Sequence, residues 1–188
     1  MSGPGLATTK GLSGGRLPTA LAAGAALLLV SCGGIEFDVE LQSETVVESG
    51  TLIEQFFPMV FDQFVEIDLT ETREFENNDV NRERVRSLRM SSFVLEVVDP
   101  EDGDLSFLRS LELFVQAEDE PEVRVAYSGK GAFATGVSRV ELELEDVELQ
   151  PYAAAEHFNI TSEVSASRRP PVDTTISAQV VFRVLAGL

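Results

Sequence analysis

One thiol, one imidazole and 32 carboxylates set the chemistry open to this 188-residue chain. The imidazole is His157. A multi-histidine metal centre is therefore excluded, and any Ser-His-Asp relay would have to run through this one ring. No Gly-x-Ser-x-Gly elbow follows residue 31 to present a nucleophile. His157 closes a short helical stretch, where an imidazole serves as a capping or surface group, because cations are favoured beside the last helical carbonyls. Two carboxylates suffice for glycoside hydrolysis. With 32 acids no pair is singled out, and the chain has no tryptophan on which a sugar could stack.

Three clusters carry other chemistry. Asp99-Pro100-Glu101-Asp102-Gly103-Asp104 offers Asp99, Asp102 and Asp104 as calcium ligands, since calcium takes six to eight oxygens. The spacing is not that of the helix-flanked calcium loop, and Asp-Gly with Pro is ordinary turn chemistry, so a solvated acidic turn is the plainer account. Arg82, Arg84, Arg86 and Arg89 are the one basic concentration. In an extended chain the first three share a face, giving either a stripe for an acidic envelope protein or a phosphate-bearing glycolipid, or cross-strand partners for Glu141, Glu143 and Glu145. Gly129-Lys130-Gly131 resembles a phosphate loop only superficially: Arg124 stands where the first glycine belongs and Gly131 where the hydroxyl belongs. No motif calls for a cofactor.

The elements that must position these groups read as strands. Ile35, Phe37, Val39 and Leu41 alternate with Glu36, Asp38 and Glu40, the pattern of a half-buried strand. Thr51 and Glu54 form a capping box ahead of Ile53, Phe56 and Phe57, with Pro58 ending a short helix. From Met59 the period becomes two, with Phe61, Val65, Ile67 and Leu69 on one side and Asp62, Glu66, Asp68 and Thr70 on the other, followed by a polar loop from Glu74 to Asn81. Further strands are expected over Ser92 to Val98, Leu111 to Gln116, Val123 to Tyr127, Val140 to Leu144, Phe158 to Val164 and Ile176 to Val184, with one helical turn at Leu105 to Leu108 and a helical connector from Pro151 to about His157. Asn159-Ile160-Thr161 matches a glycosylation acceptor by letters alone.

About eight short alternating strands with one or two brief helical connectors argue for an all-β, antiparallel β-sandwich, immunoglobulin-like or related, with barrel closure as the alternative.

The leader decides where such a domain works. Lys10 and Arg16 precede an apolar run from Leu17 to Val30 with no acid, the layout of an export signal and too short for the roughly 20 residues that span a bilayer. Leu29-Val30-Ser31-Cys32 resembles the lipobox of bacterial lipoproteins. That resemblance, confined to residues 1–32, implies removal of residues 1–31, acylation of Cys32, a tether of residues 32–34 and a single domain over 35–188. With Gly33 rather than Asp after the cysteine, it implies a bacterial cell envelope address at the outer membrane under enteric-type sorting.

Loss of residues 1–31 removes Lys10 and Arg16 and leaves 12 basic against 32 acidic residues, a formal charge of −20. This field repels nucleic-acid phosphates and anionic headgroups, so membrane residence falls to the lipid on Cys32. With Cys32 acylated, no disulfide and no thiolate metal site remains. The reading is a membrane-anchored lipoprotein, not an enzyme, acting as an envelope interaction or structural module. The alternative is a small-ligand carrier or carboxylate-dependent hydrolase, which would require a concave pocket.

Overall fold

The computed structural model describes residues 33–50, Phe61 and residues 64–187. One compact unit runs from Cys32 to Leu188 and is described by itself. The expected leader, Cys32 and the capping box at Thr51 with its helix lie outside the described residues.

The centre of the unit is written in the last strand. Ile176, Ala178, Val180, Phe182, Val184 and Ala186 recur at period two and are all fully buried. Such a stripe belongs to a strand covered on one face along its whole length. This strand, β8 (Thr174–Gly187), pairs antiparallel with β1 (Gly34–Val47) from Gly34↔Gly187 to Val47↔Thr174, and on its other side with β2 (Val85–Asp99). The three carry β5 (Arg139–Glu141), giving a sheet of order β1-β8-β2-β5. The second sheet, β6-β4-β3-β7, is built from β3 (Leu108–Ala117), β4 (Glu120–Tyr127), β6 (Glu143–Leu144) and β7 (Phe158–Ala166).

The two sheets share one core. Phe158 of β7 meets Phe182 of β8 edge to face at 5.8 Å, and buried Leu111, Leu113 and Val115 of β3 belong to the same cluster as Leu88, Phe93 and Leu95 of β2. The expected antiparallel sandwich is therefore the fold. Its first strand lies beside its last, which places it on the related side of that expectation, since immunoglobulin constant domains run ABED and CFG.

Several local expectations change. The single strand over Val140 to Leu144 divides between sheets: Val140 pairs in the first, Leu142 N–H donates to the Phe93 carbonyl at 3.0 Å, and Leu144 pairs with Ala126 in the second. A strand that switches sheets is a known way to turn a sandwich corner. Gly34, expected in the tether of residues 32–34, is already the first residue of β1.

The strand expected from Met59 to Leu69 does not form among the described residues, Phe61 and residues 64–69. Ile67 makes one bridge to Phe158, and Leu69–Glu71 is a 3₁₀ turn capped by the Asp68 carboxylate. Glu66 takes a positive φ of 53°, which breaks the alternation. Phe64 is buried against Phe61 and Phe93, while Val65 is 49% exposed. The loop expected over Glu74 to Asn81 contains a short helix, α1 (Arg73–Asn77), because Phe75 is buried and meets Phe37 at 5.3 Å. No helical turn forms over Leu105 to Leu108: the segment is a single tight turn closed by Leu108 N–H on the Leu105 carbonyl, with Leu108 already in β3, whereas the Pro151 connector is α2 (Gln150–Ala154).

This register is directly testable. Phe64→Ala should lower the unfolding free energy by about 3–5 kcal/mol, and Val65→Ala by no more than about 0.5 kcal/mol, in urea titrations followed by circular dichroism. The opposite ranking would restore the alternating strand.

Candidate functional site

A cleft of about 630 Å³ opens at one end of the second sheet. Its floor follows from pairing at the ends of β3 and β7, where Gln116 faces Asn159 and Ala117 faces Phe158. The β3–β4 turn contributes Glu118, Asp119 and Glu120, α2 and the chain after it contribute Pro151, Ala154, Glu156 and His157, and Glu66 closes the rim. Glu66 is held there because its N–H donates to Asn159 Oδ1 at 2.7 Å. On α2, buried Tyr152 donates its hydroxyl to the Pro121 carbonyl at 2.5 Å, fixing the helix to the start of β4. Burial, with the negative charge of Glu120, pushes the Tyr152 phenol up.

The volume is within the range of small-molecule sites, but the lining is not. Five carboxylates surround it, and the lining residues include no hydroxyl, thiol or amine that could act as a nucleophile. His157 is half exposed, with Nε2 3.8 Å from Glu156 Oε1, so it stands on the rim beyond α2 instead of capping it. The space between the sheets is filled by the shared core, and a second cavity near Phe75 and Phe158 measures about 10 Å³. No spacing in the sequence announces this cleft: Glu66, the 118–120 turn and Glu156 meet only because β7 returns beside β3.

The four arginines do not form one strand face. Arg82–Arg84 is a 3₁₀ turn capped by Asn81, and β2 starts only at Val85. Arg82 is a clamp: its guanidinium reaches Asp68 at 3.0 Å and the Glu156 carbonyl at 3.0 Å. Burial pushes the Asp68 carboxyl up, but hydrogen bonds from the Thr70 hydroxyl and N–H and from Arg82 outweigh it and hold it below the usual range. Arg89 pairs with Asp146 and, at 3.5 Å, with Glu148. Arg84 donates to the Asp79 carbonyl at 3.2 Å. The Glu141 to Glu145 ladder is not their partner, since Glu145 is taken by Arg124 at 2.6 Å.

Asp99, Asp102 and Asp104 do not converge, and among the described residues no three His, Cys, Asp or Glu side chains gather as a metal site. Asp104 is turned inward to cap the 104–106 turn, accepting from Ser106 Oγ at 2.5 Å, Ser106 N–H at 3.0 Å and Gly136 N–H at 2.8 Å. The Ser106 hydroxyl first, then the Gly136 N–H, hold its carboxyl below the ordinary range. Gly129-Lys130-Gly131 is a turn, with Gly131 at φ +78°. Scans against protein-family models, curated proteins and solved structures return no match to this chain.

Two measurements follow. Arg82→Ala should cost about 1–2 kcal/mol, as a partly exposed charged hydrogen-bond pair does, whereas Arg84→Ala should cost less than about 0.5 kcal/mol; equal costs in denaturant titrations would remove the clamp. A carboxyl with a depressed folded value contributes stability that is complete above its unfolded value and is lost as pH falls through the folded one. Asp104→Asn should therefore destabilise at neutral pH and flatten the decline in melting temperature below about pH 4. An acid limb as steep as the parent's would show that the Ser106 and Gly136 contacts do not hold the charge.

Proposed function

We propose that this chain is a bacterial envelope lipoprotein, anchored through an acylated Cys32 and non-catalytic, whose β-sandwich contacts an envelope protein or glycolipid at the membrane surface. The observation that carries the reading is the position of β1. Its hydrogen-bonded pairing with β8 begins at Gly34, leaving Gly33 alone between a cysteine in a lipobox-like context and a folded strand. A lipid at Cys32 therefore fixes the domain against the bilayer, where a carrier or a long-armed receptor would use a flexible stalk. More than one acyl chain is needed for stable residence, which the lipoprotein type of modification supplies, and a domain this acidic has no general electrostatic attraction to add.

The carrier and hydrolase readings draw less support. A carrier built on a sandwich would need an apolar space between the sheets, and that space is occupied by side chains such as Phe93, Phe158 and Phe182. The cleft at the sheet end is lined by charge, and its histidine is paired with nothing more reactive than Glu156. An outer-membrane address is the finer part of the proposal and rests on Gly33.

Fractionation tests the anchor. The parent chain should sediment with the envelope and yield an acylated N-terminal Cys32 by mass spectrometry, while Cys32→Ser should pass to the soluble fraction; equal sedimentation of both would end the lipoprotein reading.

A further inference from the structure

We propose that Arg84 and Arg86 form the membrane-facing edge of the domain and engage the phosphates of anionic lipid headgroups in the bilayer that holds Cys32. The inference rests on the lipid-anchor reading above. Gly34, the first residue of β1, pairs with Gly187, and Val85, the first residue of β2, faces Ala186. The Arg86 side chain lies across this same end: a Cβ added at Gly187 would stand 2.5 Å from its Nε and 2.9 Å from its Cζ. The guanidinium thus covers the strand partner of Gly34, two residues from Cys32. Two residues span at most about 7 Å, within the ~8 Å over which charge acts at physiological ionic strength.

The charge at this edge differs from the acidic surface elsewhere. Arg183 engages Glu36 at 3.5 Å and Asp38 at 3.1 Å, one cation shared by the two carboxylates that open β1, so that with Arg84, Arg86 and Glu83 this edge is neutral on a domain that is acidic elsewhere. Arg82 and Arg89 are taken by Asp68, Asp146 and Glu148. Among the described residues, Arg84 and Arg86 are exposed and form no ion pair, and Glu83 is the exposed carboxylate between them. Leu185, which faces Glu36 on one side and Ser87 on the other, is 37% exposed and adds an apolar contact beside the cations. A guanidinium fork matches phosphate oxygens two at a time. Because the whole domain is repelled by an anionic surface, these two arginines do not supply residence; they select the orientation in which the tether end points at the bilayer.

The test separates orientation from anchoring. Residues 32–188, the compact unit, are coupled through the Cys32 thiol to a maleimide lipid in vesicles, so the tether exists whether or not cells acylate Cys32. Phenylglyoxal modification followed by peptide mass spectrometry then reads each arginine. On phosphatidylcholine vesicles containing phosphatidylglycerol, Arg84 and Arg86 should react several-fold more slowly than on phosphatidylcholine alone, and high salt should abolish the difference. Arg169, in the turn before β8 and about 45 Å away by strand rise, should react equally on both. Inorganic phosphate with the uncoupled chain should leave all rates unchanged. Equal rates for Arg84 and Arg86 on the two vesicle types, slowing shared by Arg169, or protection by free phosphate would each overturn the proposal, while the fractionation of Cys32→Ser reports on the anchor by itself.

Discussion

The pairing of β1 with β8 is the constraint on which the rest of the molecule depends. These two strands lie at opposite ends of the described sequence, yet they run antiparallel in unbroken register over the whole of both, from Gly34↔Gly187 to Val47↔Thr174. Bringing such distant segments together costs loop-closure entropy before any contact is gained. The return comes from burial: every inward residue of β8 from Ile176 to Ala186 is fully covered, and β8 is hydrogen-bonded on both sides. A one-residue slip would turn that stripe to solvent, so the register is fixed by the core and not by a hairpin. The same pairing fixes Gly34 at the edge of the domain, beside Gly187.

The strands that could be read from the sequence are those whose two faces differ in polarity. Phe37, Val39 and Leu41 against Glu36, Asp38 and Glu40, and the Ile176 to Val184 stripe, state their inward side directly. Tertiary geometry overrides the pattern where the chain bends. Glu66 at positive φ shifts the inward residue from Val65 to Phe64. A buried Phe75 converts a polar loop into a helix that packs on Phe37. The run around Leu142 alternates as one strand and still serves two sheets, because alternation records which side is buried and not which neighbour supplies the hydrogen bonds.

The cleft was less legible for the same reason. Its acids come from the Glu118–Glu120 turn, Glu66 and Glu156, segments that no local period connects. The arginines misled in a more specific way. Spacing of two implies a shared face only in an extended chain, and Asn81 caps a 3₁₀ turn over Arg82–Arg84 that delays the extension until Val85. Arg82 is then drawn to Asp68 and the Glu156 carbonyl, while Arg86 is left at the strand end. A single basic cluster in sequence thus separates into an internal clamp and an exposed edge.

That separation bears on how an acidic domain keeps a cation at its surface. Cross-strand pairs take up most of the arginines that face acids: Arg183 with Glu36 and Asp38, Arg139 with Glu96, Arg124 with Glu112 and Glu145. Exposed pairs of this kind are screened by water and contribute little, so they do not hold the sandwich together. Their effect is to neutralise particular carboxylates where strands meet. Where β1 opens, Arg183 offsets one of the two charges on Glu36 and Asp38, and that end of the sheet is then less negative than composition alone would give. A chain with 32 acids can therefore present a nearly neutral edge, because Arg84, Arg86 and Arg183 offset Glu36, Asp38 and Glu83 where β1 and β8 meet.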